Sequence, residues 1–105
     1  MRIQIIGDNI KLDQSIKNII EDKLSSKLDK LLEDFNEELK TASVRIRKLS
    51  RTGKYKVNFN MWLPGKKQIF ARAIHEDFVF AVVELREDLE RQIKRYRGKL
   101  GIDED

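Results

Sequence analysis

The residues of this chain that could do chemistry are chiefly cations, and their spacing suits the binding of phosphates better than catalysis. Arg91, Arg95 and Lys99 recur every four residues, so a helix with about 100° per residue would align them in one stripe. Successive members would lie about 6 Å apart along the axis, which matches a row of backbone phosphates within side-chain reach. Glu84 and Asp88 fall earlier on the same stripe, so this flank is acidic first and basic last.

Catalytic and metal-binding patterns are missing from the sequence. There is no cysteine, and the single histidine, His75, falls at a strand-to-helix junction where a hydrogen-bonding role is the commoner one. No His, Asp and Glu are spaced like metal ligands, and the glycines fit no phosphate-binding loop. Ser25 and Ser26 have no neighbouring base to activate them. We therefore predict no enzyme activity, no catalytic residue, no metal and no cofactor.

Charge is segregated along the chain. The 105 residues carry 22 Lys and Arg against 18 Asp and Glu, a net charge of +4. Residues 41–74 hold nine basic residues and no acidic one, whereas residues 1–40 carry a net −2 and residues 75–105 a net −3. Such an excess is typical of a surface that binds a polyanion. Ordinary basic decoration of solvent-facing strands is the alternative interpretation.

A second basic cluster lies near the C-terminus. Its members are Arg91, Lys94, Arg95, Arg97 and Lys99, and no acidic residue falls between them after Glu90. Cations near a helix C-terminus complement the helix dipole, which explains some of these bases more naturally than all of them.

Hydrophobic periodicity predicts the elements that position these cations. Alternation of apolar and polar residues predicts strands at Arg2–Ile6, Thr41–Lys48, Tyr55–Leu63 and Gln68–Ile74. Apolar residues three and four apart predict a helix from an N-cap at Asp13 to about Glu33. The same rhythm predicts a second helix from about Glu76 to Arg97, ended by Gly98.

These elements define an α+β fold with the order β-α-β-β-β-α, in which two helices cover one face of a four-stranded sheet. The loops between the last three strands are of hairpin length, so those strands pair antiparallel. The other face is left to polar and basic side chains: Arg45, Arg47, Lys56, Asn58, Asn60 and Arg72. Trp62 and Phe70 are the only large aromatics that could reach it, so stacking of unpaired bases looks weak and recognition of backbone and shape is favoured.

The chain reads as one domain at 1–100 with a short acidic tail at 101–105. No run of about 18 apolar residues occurs, so neither a membrane span nor a signal peptide is predicted. With no cysteine to require an oxidising compartment, the cytoplasm is the expected location.

Several motifs carry a resemblance to a known family. They are His75-Glu76-Asp77-Phe78, Ala81, Leu89-Glu90-Arg91-Gln92-Ile93, Arg95-Tyr96, Ile3-Gln4-Ile5-Ile6-Gly7 and Lys27-Leu28-Asp29-Lys30. Together they resemble the ribosome hibernation-promoting factors, the family that includes the ribosome-associated inhibitor, over essentially all of residues 1–100.

The resemblance implies a fold similar to a double-stranded-RNA-binding domain and a ribosomal function. Members bind the small ribosomal subunit between its head and body on 16S-type rRNA. They occupy the mRNA and tRNA path, stop translation and preserve idle ribosomes under stress. The resemblance also suggests a second factor as a partner in forming ribosome dimers. Members with a long C-terminal extension use it to pair ribosomes, and since this chain stops at Asp105 we expect a short-form member or a fragment.

Carried over by position, the family's rRNA-facing bases match Arg91, Arg95 and Lys99 on the last helix and Lys30 on the first. Two departures stand out. Asp88 occupies the position before Leu89 where the family commonly has a base, and the first helix holds one extra residue around Ser25-Ser26.

The sequence therefore predicts inhibition of translation by occlusion. The alternatives are a general double-stranded-RNA-binding module and a basic protein-interaction module. The candidate RNA-binding residues are Lys30, Arg45, Arg47, Lys56, Arg72, Arg91, Lys94, Arg95, Arg97 and Lys99.

Overall fold

A computed structural model of the protein describes residues 1–100, and the predicted tail at 101–105 lies outside the described residues. The elements are β1 (Arg2–Asp8), α1 (Gln14–Ile20), a π-helical turn (Glu21–Ser25), α2 (Ser26–Leu31), a 3-10 turn (Glu37–Leu39), β2 (Thr41–Lys48), β3 (Tyr55–Leu63), β4 (Lys67–His75) and α3 (Phe78–Leu100). The segments α1, π turn and α2 follow without a break and are called here the N-terminal helix. The predicted α+β class and element order are confirmed.

The four strands form one mixed sheet in the order β1-β2-β3-β4. β1 and β2 are parallel, with the N-terminal helix in the crossover between them, whereas β2–β3 and β3–β4 are antiparallel, as predicted. The β3–β4 turn needs left-handed backbone, which Gly65 supplies at φ 82° and Lys66 adopts at φ 60°. β4 pairs only with β3 and is therefore one edge of the sheet.

Strict alternation separates the two faces of the sheet. In β3 the side chains of Val57, Phe59, Met61 and Leu63 are buried, and those between them turn to the opposite, outer face. Both helices cover the buried face and contribute Leu24, Leu28, Leu85, Leu89 and Ile93 to a single core. The core therefore sits on the helix-facing side, as the sequence predicts.

The N-terminal helix begins where its cap predicts. The Asp13 carboxylate accepts a hydrogen bond of 3.0 Å from the backbone N–H of Ile16. In its middle the backbone widens into the π turn, a conformation that accommodates an extra residue while Leu24 and Ser25 stay buried. This is where the sequence indicates one residue more than the family pattern. The helix ends at Leu31, slightly before the predicted Glu33.

The predicted start of α3 is nearly right and its predicted end is wrong. Asp77 caps the helix by accepting a 3.2 Å hydrogen bond from the N–H of Phe80, and the N–H of Asp77 donates to His75 Nδ1 at 3.0 Å. Gly98 does not end the helix, which continues to Leu100. Tyr96 holds the last turns against the sheet, because its hydroxyl donates a 2.7 Å hydrogen bond to the Pro64 carbonyl.

Candidate nucleic-acid interface

The helical stripe, defined as Arg91, Arg95 and Lys99, lies exposed along one flank of α3. The helix spans all three positions, so their spacing follows from the helical repeat. Arg91 has one acidic neighbour, Asp88, at 3.6 Å. Arg95 and Lys99 form no ion pair with any residue of the described part of the chain. The stripe therefore presents mostly uncompensated positive charge.

Gln92 fixes where this flank points. Its Nε2 donates to the Phe70 carbonyl at 2.7 Å, and its Oε1 accepts from the Phe70 N–H at 3.4 Å. One side chain thus satisfies both backbone groups of an edge-strand residue, which would otherwise be open to pairing. The same Nε2 also donates to Asp88 at 3.1 Å. As a result the helical stripe runs beside the open edge of β4.

A groove of about 320 Å³ joins the helical stripe to the start of β4. It is lined by Lys67, Asp88, Gln92, Arg95, Tyr96 and Lys99. Three of these side chains are cations and one is an anion, so an anionic group is favoured there. Lys67, a turn residue by its sequence pattern, belongs to β4 and to this groove.

The outer sheet face carries the second group of predicted cations, Arg45, Arg47, Lys56 and Arg72. The strand register sets Arg45, Asn58 and Arg72 in one row, and Arg47 beside Lys56 in the next row. Arg45 pairs with Asp8 of β1 at 2.9 Å. Within residues 1–100 no acidic partner contacts Arg47, Lys56 or Arg72. These four predicted residues are thus brought together on one face.

Arg97 is positioned differently from the other predicted cations of α3. Its side chain is only 14% exposed, and its Nη1 and Nη2 donate to the two carboxylate oxygens of Asp34 at 2.9 and 3.1 Å. It also donates to the Leu31 carbonyl at 3.2 Å and lies 5.5 Å from the centroid of the Phe35 ring. Arg97 therefore ties the end of α2 to α3.

Lys30 lies apart from the helical stripe, and Lys94 adjoins it only at Arg91, three residues earlier on α3. Lys94 is exposed on the side of α3 away from the sheet. Lys30 is exposed on α2, next to Leu31, whose carbonyl binds Arg97, and so lies toward the flank of α3 opposite the stripe. Its neighbours in a shallow groove include Glu21, Asp29 and Glu33. The structure does not bring Lys30 beside Arg91, Arg95 and Lys99.

The acidic neighbours of the N-terminal helix have structural partners of their own. Burial by itself raises the pKa of Asp29, but hydrogen bonds from the buried Lys40 and from the amino terminus outweigh it and lower that pKa below its usual value. The hydrogen bonds from Arg97 likewise lower the pKa of Asp34. These carboxylates stabilise contacts between neighbouring elements of the fold. Neither lies in the stripe or on the outer sheet face.

Two aromatic residues that the sequence treated as weak candidates are prominent on the outer sheet face. Trp62 is 56% exposed and Phe70 is 53% exposed. The alternation of β3 and β4 had placed both rings on this side, but the degree of exposure depends on what covers the sheet. None of the elements described does so, because both helices pack on the other face.

The described residues offer little for other kinds of chemistry. Among them, no group of His, Cys, Asp and Glu is placed to hold a metal ion. No helix within residues 1–100 is both long and apolar enough to cross a membrane. The arrangement can bind an extended polyanion along the β4 edge, with cations on both sides of that edge.

The fold and the exposed cations define a small α+β domain with a basic surface, and solved structures of other proteins share this fold. The N-terminal domain of Thermus thermophilus Protein Y superposes with a TM-score of 0.76 at 27% identity, over 92% of this chain and 100% of that domain. A ribosomal subunit interface protein from Coxiella burnetii has the same fold, with a TM-score of 0.70 at 24% identity over 93% of this chain and 99% of that one.

The family itself is shown by the sequence. A family model described as Sigma 54 modulation protein / S30EA ribosomal protein matches residues 3–101. No curated protein matches the chain significantly. The chain belongs to this family, which comprises ribosome-associated factors and is not a family of enzymes. The resemblance to the ribosome hibernation-promoting factors is thereby confirmed.

Proposed function

We propose that this protein binds the small ribosomal subunit through 16S-type rRNA phosphates and inhibits translation by filling the mRNA and tRNA path, in the cytoplasm. Its family membership supports a ribosomal partner, and the Coxiella relative is named a subunit interface protein. The observation that carries the proposal is that exposed cations lie on two sides of β4, on the flank of α3 beside its edge and on the outer face of the sheet. Arg95, Lys99 and Arg72 there have no ion-pair partner among the residues described.

The mechanism needs no bond to form or break. A helix holds the three cations of the stripe at fixed spacing, so little conformational entropy is lost when they meet a row of phosphates. The cations of the outer sheet face are similarly fixed by the strand register. Once anchored, the folded domain excludes other ligands from the space it fills. Lys30 and Lys94 are proposed as peripheral contacts, and Arg97 supports the interface by fixing the end of α3.

The experiment compares two triple variants with equal changes of charge. One reverses the helical stripe: Arg91→Glu, Arg95→Glu and Lys99→Glu. The control reverses three loop cations that lie away from the β4 groove, Lys11→Glu, Arg51→Glu and Lys54→Glu; Lys67 is left intact because it lines the groove, and Lys66 because it adjoins Lys67. Co-sedimentation with isolated small subunits and inhibition of cell-free translation are measured, with circular dichroism as the check on folding.

We expect the stripe variant to lose both activities while keeping its fold, since all three side chains are exposed. The control should bind more slowly but still inhibit, because loop cations serve mainly long-range attraction. An equal loss in both variants would show that the overall positive field, and not the stripe, holds the protein in place.

Salt dependence gives a second measure of the same interface. Binding through phosphates releases counterions, and removing one phosphate-binding cation lowers the slope of log affinity against log salt by about one unit. The neutral variant Arg91→Gln, Arg95→Gln, Lys99→Gln should therefore bind with a slope lower by about three units. A wild-type slope near zero would contradict a phosphate-based interface.

The same assays separate the two alternatives. Equal competition by a generic RNA duplex would favour a general double-stranded-RNA-binding module. Absence of any association with ribosomes would favour a basic protein-interaction module. Gradients run with whole ribosomes would also show whether dimers form with this chain alone or need a second factor.

A further inference from the structure

The outer sheet face has an apolar component that phosphate binding does not use. Trp62 and Phe70 each leave more than half of their surface exposed. Trp62 on β3 faces Gln68 on β4, and Phe70 lies two residues beyond Gln68, so the rings are diagonal neighbours. Cross-strand diagonal positions are about 7–8 Å apart, which places both rings in one aromatic platform. We use that term for Trp62 and Phe70 together.

Amide side chains lie beside this platform. Asn60 faces Phe70 across the strands, and its Oδ1 accepts a 2.6 Å hydrogen bond from Gln68 Nε2. Asn58 is the next outward residue of β3, between Arg45 and Arg72. Its Oδ1 is buried and has no hydrogen-bond partner in the described part of the chain. Buried amide oxygens are normally paired, so this one could accept a donor from a ligand once the side chains that cover it shift.

The charge of the face selects the ligand. β2, β3 and β4 contain no Asp or Glu, and the acidic residue of β1, Asp8, is already paired with Arg45. Arg47, Lys56 and Arg72 remain for an anionic partner. A partner that combines negative charge, flat apolar surfaces and hydrogen-bonding edges is a nucleic acid with its bases unstacked from a duplex. A peptide of Asp and Glu alone supplies the charge but not the flat rings.

We propose that the outer sheet face binds an unpaired RNA strand, with bases stacked on Trp62 and Phe70 and phosphates bound by Arg72 and its neighbours. The inference rests on the proposed function in that it takes the polyanion to be RNA. It differs in requiring unpaired bases, whereas the helical stripe needs only a phosphate row. A duplex cannot satisfy it, because its base faces are covered by stacking.

Gln92 connects the platform to the helical stripe. By binding both backbone groups of Phe70 it fixes that residue relative to α3. A strand that crosses the platform toward β4 therefore meets a rigid edge, and then the groove lined by Lys67, Arg95 and Lys99. Unpaired bases on the sheet and phosphates at the helix can belong to one continuous RNA segment.

The test uses Trp62 as its own reporter, since it is the single tryptophan of the chain. A single-stranded oligouridine of about eight nucleotides is titrated into the full chain while tryptophan fluorescence is followed. Saturable quenching is expected. Phe70→Ala should weaken binding about tenfold or more, which is within the range for removal of one stacking ring. The matched control is Phe80→Ala, because Phe80 is 60% exposed but lies on α3 beside His75.

A labelled oligouridine measured by anisotropy extends the test to Trp62 itself. Trp62→Phe should keep most of the affinity and Trp62→Ala should lose it, since a phenyl ring still stacks and a methyl group does not. The inference is overturned if Phe70→Ala and Phe80→Ala behave alike. It is also overturned if an RNA duplex of equal length, or a polyglutamate peptide, quenches Trp62 as well as the single strand does.

The stripe variant separates this inference from the proposed function. The triple variant should lose binding to small subunits yet still show quenching of Trp62 by oligouridine, with weaker affinity. Its substitutions are Arg91→Glu, Arg95→Glu and Lys99→Glu. Intact subunit binding in that variant would contradict the proposed function alone. Loss of ring-dependent quenching in the wild type would contradict the aromatic platform alone.

Discussion

Two arginines of α3, only two residues apart, have opposite environments. Arg95 is exposed, has no ion pair among the described residues and lines the groove beside β4. Arg97 lies about 200° further round the helix. There it is mostly buried, bound to both carboxylate oxygens of Asp34 and to the Leu31 carbonyl. The same side chain on the same helix is thus exposed on the proposed binding surface in one case and used for internal packing in the other.

The difference shows that the number of cations in a basic cluster overstates how many of them are available to bind a ligand. A guanidinium whose donors are already satisfied gains little from a phosphate, because the existing hydrogen bonds must first be broken. An exposed guanidinium gives up only water. The partners of each base, and not its position in a basic cluster, separate Arg97 from Arg95 and Lys99.

Single alanine substitutions should give the largest separation of the two arginines. Arg97→Ala removes a hydrogen bond to a backbone carbonyl and packing against Phe35, so we expect a loss of about 1–2 kcal/mol in the free energy of unfolding. Arg95→Ala should change stability by less than about 0.5 kcal/mol. Its binding to small subunits should fall, since one phosphate-binding cation is removed. Urea unfolding and co-sedimentation measure the two effects.

The contrast between the two arginines would be contradicted if Arg97→Ala lowered binding and Arg95→Ala lowered stability. An Arg97→Ala variant of wild-type stability that no longer binds would make Arg97 a direct RNA contact. Arg97→Lys is a useful companion, because lysine keeps the charge but cannot form the bidentate pair with Asp34. It should remain partly destabilised, whereas Arg95→Lys should bind almost normally.

Acid should weaken the contact between Arg97 and Asp34. Arg97 lowers the pKa of Asp34 below its ordinary value of 3.8, so the folded state favours the ionised carboxylate. The stabilisation is therefore present above pH 3.8 and is lost as the pH falls through the lowered pKa. Asp34→Asn should be less stable at neutral pH and should lose less stability on acidification. Thermal unfolding between neutral and acidic pH measures this difference.

The Asp34→Asn variant should still lose some stability in acid, because Asp29 contributes to the acid sensitivity as well. Its pKa is also lowered, through Lys40 and the amino terminus, so Asp34→Asn retains that part of the acid sensitivity. The stripe variant Arg91→Gln, Arg95→Gln, Lys99→Gln is the control and should follow the wild-type profile. A wild-type profile in Asp34→Asn would mean that the Arg97–Asp34 pair contributes nothing measurable.

The fold could be predicted from the sequence because burial and strand periodicity are directly coupled. Nine alternating residues, Tyr55–Leu63, fix which face of β3 is buried, and the N-cap at Asp13 marks a helix start through one local hydrogen bond. The end of α3 could not be predicted in the same way. Gly98 is a common stop signal, but the hydrogen bond between Tyr96 and Pro64, 32 residues apart, holds the final turns in place.

The candidate site was only partly predictable for the same reason. The helical repeat alone aligns Arg91, Arg95 and Lys99, which the sequence therefore identified as one stripe. The partner of Arg97 lies 63 residues away, so no local pattern reveals it. The exposure of Trp62 and Phe70 is equally non-local, since it depends on which face of the sheet the helices cover. Alternation had nevertheless placed both rings outward.

The smallest expected effect concerns the helix that carries Lys99. Lys99 stays in line with Arg95 only if α3 continues through Gly98, as it does here. A methyl group at Gly98 would meet no atom within 4 Å, so Gly98→Ala should stabilise the protein by roughly 0.5–1 kcal/mol through its higher helix propensity. Because Gly98 lies near the end of α3, we expect the stabilisation to be near the lower end of this range. Gly65→Ala is the contrasting control, because φ is 82° at Gly65 and alanine is strained there. Thermal unfolding and far-ultraviolet circular dichroism should show a small rise for Gly98→Ala with unchanged binding to small subunits. A destabilised Gly98→Ala would instead indicate a left-handed cap at Gly98, and Lys99 would then lie outside the stripe.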